Sequence, residues 1–346
     1  MKLQETTTMK KMGYWLDNAR WISFPQSLLP GMVAFTLAWL EHRGTDFNAV
    51  LGLLAVAAGV LLHFGMNLFD DYFDYRYKKS GTRTVQAAQG IRARIGKCPY
   101  LKDEGGASTL GELGRACVGF CLAAAALGVV IGFYRGLSVW YVAAVGAFIG
   151  LEYSAPPLRL SYHGLGELVI GLLFGPVLMA GVYVSACGAW SYSVLFLSVP
   201  VGLLVTNIVY THSVIDYAAD RAMGKRTFAG VLKRPGLMLA GSFCFTLLPF
   251  LIVACGVAFR YLSVWYLLVW LFLPRAIGLL YAVVVFMRDP KRELPLAWWA
   301  KPVQMWDQIQ EAGIEWFMIR WLAARNLLMF FALMLIVAAV AGVVFK

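Results

Sequence analysis

Charge is scarce in this chain. Asp, Glu, Lys and Arg make up 14% of its 346 residues, against 60% hydrophobic, where a soluble domain carries about a quarter charged. The shortage argues against an ordinary water-soluble enzyme. Apolar runs near twenty residues recur along the chain, each long enough to cross about 30 Å of hydrocarbon. Alternating ten-residue strands, the mark of a membrane barrel, are missing. Cysteine is limited to six residues and histidine to four. No CxxC pair occurs, and Cys117 and Cys121, four apart on a helix, read as packing, so neither a disulfide framework nor a zinc site is implied. The opening "MKLQETTTMKKMGYW" lacks the apolar core and small-residue cleavage site of a signal peptide.

What remains is an all-α polytopic membrane protein. The runs predict nine transmembrane helices, at about 21–40, 48–68, 116–133, 137–152, 166–186, 194–212, 237–258, 263–287 and 326–345. They form a single domain over 1–346, with long loops at about 69–114 and 288–325. The second loop holds "LAWWAKPVQMWDQIQEAGIEWFMIRWLAARN", whose aromatic and apolar residues recur at roughly helical spacing among charges. That pattern fits either an amphipathic helix lying on the membrane surface or a soluble helix packed on other loops. Net charge is +11, but its distribution argues against a nucleic-acid partner. Of 30 Lys and Arg, 25 fall in the N-terminal segment, the two long loops and the stretches after the fourth and sixth spans. Such asymmetry places those segments, and the N-terminus, on the cytoplasmic side.

Acids are few, yet they gather. "NLFDDYFDYRYKK" closes the second span and "IDYAADRAMGKRT" closes the sixth. Asp70 and Asp74 are four apart, as are Asp216 and Asp220, so each pair shares one helix face. Asp71 adds a third carboxylate, and Asn67, one turn earlier, a neutral oxygen. Carboxylates without His or Cys are hard donors suited to Mg²⁺, which takes one or two of them together with substrate phosphates. Cations follow each cluster: Lys78, Lys79, Arg92, Arg94 and Lys97 after the first, Arg221, Lys225 and Arg226 after the second. They suit the diphosphate oxygens that metals leave free, although most of them also serve as ordinary cytoplasmic-side charges.

These two segments, with "ARWISFPQSLLPG" before the first span, resemble the UbiA superfamily of intramembrane prenyltransferases. The stretch "YSAPPLRLSYHGLGELVIGLLFGPVLMAGVYV" is similar to its dihydroxynaphthoate polyprenyltransferase branch, of menaquinone synthesis. The resemblance covers most of 15–235 and fades after about 240. It implies a nine-helix bundle with a central cavity open to the cytoplasm and sideways to lipid, in a prokaryotic plasma membrane. It implies Mg²⁺ in two ions, one held by Asn67, Asp70, Asp71 and Asp74, the other by Asp216 and Asp220. The two ions grip a polyprenyl diphosphate donor, with Lys225 in the basic tail of the second motif and Tyr153 and Arg159 flanking a loop near the site. The acceptor is an aromatic ring. Two departures bear on that acceptor: the branch usually has Asn where this chain has Asp70, and Asn-Asn-Ile-Arg where it has His212 to Ile215.

The resulting expectation is loss of the diphosphate, attack of an electron-rich ring on the allylic cation, and loss of a proton. Tyr72, Phe73, Tyr153, Phe174 and Tyr210 are candidates to face the cation. His63, one turn before Asn67, is a candidate base or positioning group, with Glu152 and Glu167 as other bases. Arg275 lies mid-span and suits an acceptor carboxylate or an acid. Gly175-Pro176 predicts a kink in the fifth span. The same acid clusters also serve a phosphatase or terpene cyclase. A cation-coupled transporter fits less well, since its acids belong near the bilayer midplane.

Overall fold

The computed structural model describes residues 11–76, 90 and 98–345. Nine long helices are numbered here in chain order among the described residues: α1 Pro25–His42, α2 Ala49–Arg76, α3 Leu110–Arg135, α4 Leu137–Ser154, α5 Gly166–Cys187, α6 Tyr192–Ile215, α7 Pro235–Ala258, α8 Val264–Arg288 and α9 Glu315–Val344. Eight of them are long and apolar enough to cross a membrane. The expected nine spans are therefore not all met: α1 falls short because its 18 residues include Gln26, Ser27, Glu41 and His42. No β-strand occurs among the described residues, where pairing is limited to the isolated bridge Leu101–Ser108.

Helix ends follow local chemistry. Pro25 opens α1, where its missing N–H is no loss. Thr109 and Glu112 close a reciprocal capping box at the start of α3. α2, with 28 residues, is about 42 Å long. It outruns the hydrocarbon, so the last turns, with Asp70, Asp71 and Asp74, belong to the helix rather than to the loop that the sequence suggests after residue 68.

The second loop also shortens. α9 begins at Glu315, leaving the short helix Trp306–Glu311 before it. Residues 315–325 are thus the first three turns of the last long helix and not a separate surface helix. No Gly or Pro interrupts them, and Arg320 does not stop the helix because its charge is met inside. Its guanidinium donates to Ala282 O at 2.9 Å and to Trp316 O, and lies 5.1 Å from the Phe286 ring.

α6 is the hub, packed against α5, α7 and α9, while α1 packs on α5 and α9, and α2 on α3 and α5. Between membrane helices, lipid offers as much apolar contact as protein does, so close packing decides association. The α5–α6 crossing shows it. A Cβ on Gly202 would stand 2.6 Å from Gly171 O, and one on Gly175 would stand 2.5 Å from Ser198 O. Here α5 takes a π-helical turn over Leu173–Val177, at the expected Gly175-Pro176 break. Residues 98–108 and the helical stretch 11–18 pack beside the end of α2, burying Ala19, Phe64, Leu68, Tyr100 and Leu101.

Candidate active site

A cavity of about 760 Å³ runs between α2, α3, α4, α5 and α6, with α1 and α9 at its edge. One end is polar, bordered by Arg20, Asn67, Asp70, Tyr153, His212, Asp220 and Lys225. Away from it the walls are apolar and largely small, with Ala55 and Gly59 on α2, Gly146 on α4 and Leu178 and Val182 on α5.

The structure divides the six metal-ligand candidates. Asn67, Asp70 and Asp220 line the cavity. Asp70 accepts a hydrogen bond from Ser154 Oγ at 3.0 Å. Asp71, Asp74 and Asp216 are fully or almost fully buried and do not line it. Each instead holds an N–H group that does. Asp71 pairs with Arg20 and also accepts from the Tyr100 hydroxyl at 2.9 Å. Asp74 pairs with Lys225 at 3.3 Å and accepts from Tyr162 at 2.5 Å. Asp216 accepts from His212 Nε2 at 2.9 Å. Burial, and next the Asp71 carboxylate, push the Tyr100 phenol well above its ordinary pKa, so it remains a donor to that carboxylate.

Local backbone places Lys225. After the short helix Tyr217–Ala222, Gly224 adopts φ 66° and the chain reverses, so that Lys225 N–H bonds Asp220 O at 2.8 Å. Glycine meets that left-handed conformation without the cost a side chain would bring. Of the other cations expected here, Arg159 and the exposed Arg226 do not line the cavity. Lys78 lies outside the described residues, as do Lys79, Arg92, Arg94 and Lys97.

His63 lines the cavity and both its ring nitrogens have partners. Ser23 Oγ donates to Arg20 O at 2.7 Å and Ser27 Oγ to Phe24 O at 3.2 Å, and the ring nitrogens Nε2 and Nδ1 lie 3.2 Å and 2.9 Å from these two hydroxyls. Asn67 Nδ2 donates to Ala19 O at 2.9 Å, and a carbonyl cannot donate back, which leaves the Asn67 Oδ1 for a ligand. His63 thus docks the 19–27 segment beside Asn67.

Among the other expectations, Tyr153 and Phe174 line the cavity, whereas Tyr72, Phe73 and Tyr210 do not. Tyr210 is a core residue whose hydroxyl bonds Met238 O at 2.8 Å. Glu152 accepts from Leu158 N–H at 2.8 Å, and Glu167, at the cavity wall, from Ser213 and from Phe228 N–H at 2.9 Å. Arg275 meets no acid among the described residues and does not line the cavity. It donates to Trp299 O and Lys301 O at 3.1 and 2.6 Å, tying that loop to α8. Arg20 is the residue that sequence reasoning missed. Its signal was its place in "ARWISFPQSLLPG", just before α1.

Among the described residues no three His, Cys, Asp or Glu side chains come together as a metal cluster. Of the six metal-ligand candidates, those that line the cavity offer one amide oxygen and two carboxylates. That set fits Mg²⁺ when phosphate oxygens complete its shell; it does not fit zinc.

The model of the UbiA prenyltransferase family matches residues 111–309, more than half of the chain, and the chain belongs to that family. The match begins after the first acid cluster and continues past residue 240, further than the sequence resemblance reaches. The 2-carboxy-1,4-naphthoquinone phytyltransferase of Synechocystis sp. is 34% identical over 110 residues, covering 31% of this chain and 36% of that protein. The 1,4-dihydroxy-2-naphthoate octaprenyltransferase of Bacillus subtilis is 26% identical over 260 residues, covering 72% of this chain and 76% of that protein. A UbiA homolog from Archaeoglobus fulgidus, solved with GPP and Mg²⁺, shares the fold with a TM-score of 0.56 at 15% identity, over 93% of this chain and 99% of that one. A digeranylgeranylglyceryl phosphate synthase does so with a TM-score of 0.56 at 14% identity, over 96% and 99%.

Proposed function

We propose that this protein transfers a polyprenyl group from an allylic polyprenyl diphosphate to an aromatic acceptor, 1,4-dihydroxy-2-naphthoate in menaquinone biosynthesis. One observation carries the reading. Asn67 and Asp70 of α2 border the same cavity as Asp220 and Lys225, and that cavity continues away from them as an apolar channel. The polar end suits a diphosphate and the channel suits its prenyl chain. The names of the naphthoate and naphthoquinone relatives support the acceptor. The excess of Lys and Arg supports a cytoplasmic N-terminus and cytoplasmic acid clusters.

Asn67 and Asp70 on one side and Asp220 on the other would hold Mg²⁺, in two ions. Bound there, Mg²⁺ supplies Lewis-acid stabilisation of the diphosphate oxygens. Arg20 and Lys225 offer charged N–H donors to the oxygens left over. As the allylic C–O bond breaks, its electron pair leaves with the diphosphate, and the growing negative charge falls among donors already in place. The allylic cation faces the rings of Tyr153 and Phe174, and the apolar channel keeps water from it. A ring carbon of the acceptor attacks, the new C–C bond forms, and the ring loses its proton to the released diphosphate. His63 serves by docking the 19–27 segment rather than as the base, since both its nitrogens are engaged.

The test combines detergent-purified protein, geranyl diphosphate, Mg²⁺ and 1,4-dihydroxy-2-naphthoate, with products read by mass spectrometry. The expected product is prenylated dihydroxynaphthoate, or the prenylated naphthoquinol formed where its carboxylate leaves as CO₂; it disappears with EDTA and falls at least a hundredfold in Asp220→Ala, as for lost charge stabilisation. Diphosphate release with a prenyl alcohol or hydrocarbon in place of the adduct would assign the site to hydrolysis or cyclisation. Mg²⁺-independent turnover would overturn the donor reading.

A further inference from the structure

The reaction as described leaves one amide of the cavity without a task. Gln26 stands on the first turn of α1, lines the cavity and is 6% exposed, and its amide forms no hydrogen bond among the described residues. A side chain buried in the bundle, with its amide open to a cavity and unpartnered by protein, is placed to meet a ligand.

The surroundings define that ligand. His212 of α6 and Phe317, Met318 and Trp321 of α9 line the same cavity, and α9 packs on both α1 and α6. The rings of His212 and Phe317 meet edge to face, centroids 5.1 Å apart, with His212 held by Asp216. That wall is aromatic and fixed through His212, and the Gln26 amide stands on the helix against which α9 packs. Depth agrees. Ser23 Oγ lies 3.2 Å from His63 and 3.4 Å from Asn67, and Gln26 follows Ser23 by about one turn. His212 precedes Asp216 by about one turn. Both lie slightly inside the level of the carboxylates, where the allylic carbon of a diphosphate bound there must lie.

We infer that Gln26, Phe317 and Trp321 form the acceptor subsite, and that its ligand is a flat hydroxyaryl ring. The ring packs against the two aromatic side chains and Gln26 holds one of its hydroxyls. An amide both donates and accepts, as a phenolic hydroxyl does, whereas an alkene has nothing to offer it. A hydroxyl that donates to Gln26 Oε1 becomes more electron-rich, and this bond strengthens as positive charge spreads into the ring. Gln26 takes no part in bond making or breaking. The inference rests on the prenyl-transfer reading above and names the residues that select its acceptor.

Gln26→Met keeps the volume and removes the hydrogen bonds. With geranyl diphosphate and Mg²⁺, it is expected to raise the KM for 1,4-dihydroxy-2-naphthoate about tenfold, the loss of one buried hydrogen bond, and to leave the donor KM unchanged. Wild type should also distinguish 1,4-dihydroxy-2-naphthoate from one of its two monohydroxy analogues about tenfold, and Gln26→Met should not. A merely structural residue would not abolish that discrimination. Calorimetric titration of the wild-type protein with the same three acceptors reads the discrimination without any variant. An unchanged acceptor KM, or a loss shared equally by donor and acceptor, overturns the assignment while prenyl transfer stands. Absence of Mg²⁺-dependent donor binding in wild type overturns the transfer reading, and this inference with it.

Discussion

At the scale of single residues, the acids of this site do two kinds of work. Asp70 and Asp220 face the cavity, while Asp71, Asp74 and Asp216 hold Arg20, Lys225 and His212 at its wall. A buried carboxylate needs its counter-charge or donors, so each pair fixes the other. Asp71→Asn keeps the shape and removes the charge that holds Arg20. It is expected to raise the donor KM about tenfold, as for a hydrogen bond to a charged group, with Mg²⁺-dependent activity retained. Asp70→Asn should instead raise the Mg²⁺ concentration needed for half-maximal activity. Steady-state kinetics over a Mg²⁺ series separates the two, and equal effects would refute the division. That "DDYFD" is an acid cluster is plain in the sequence. Which acid faces the cavity is not, because neighbours on a helix point about 100° apart and the partners come from afar, Arg20 51 residues away and Tyr100 29.

At the scale of elements, hydropathy announces where the helices are and says little about where they stop. α2 carries its charged turns out to Arg76, and α9 begins at Glu315, because charged side chains at a membrane surface, or satisfied inside as Arg320 is, do not break a helix. The kink at Gly175-Pro176 was legible from proline alone. The close α5–α6 crossing was not, since it depends on Gly171 and Gly202 meeting from separate helices. Gly202→Leu would force a side chain against the Gly171 backbone. An overpacked contact costs about 1–3 kcal/mol, occasionally more, and thermal unfolding in detergent should show a midpoint several degrees lower. An unchanged midpoint would mean that the two helices part without penalty.

At the scale of the whole molecule, one end of the bundle is polar and cationic and the cavity behind it is apolar. The charge distribution predicts which compartment that end faces. A cysteine introduced at Arg234 should react with a membrane-impermeant maleimide only when the cytoplasmic face is exposed, and one at exposed Arg260 only from the other face. Labelling of both from one face would refute the topology.

The helix packing has a consequence for how such a protein diversifies. In the proposed reaction the donor's charge is met mainly from α2 and from the turn after α6, while the aromatic wall comes from α9, which packs on α1. Matched changes at Gln26, Phe317 and Trp321 would exchange one nucleophile for another and leave the leaving-group chemistry untouched. On that reading, leaving-group departure and partner choice would be separately heritable traits within a single cavity.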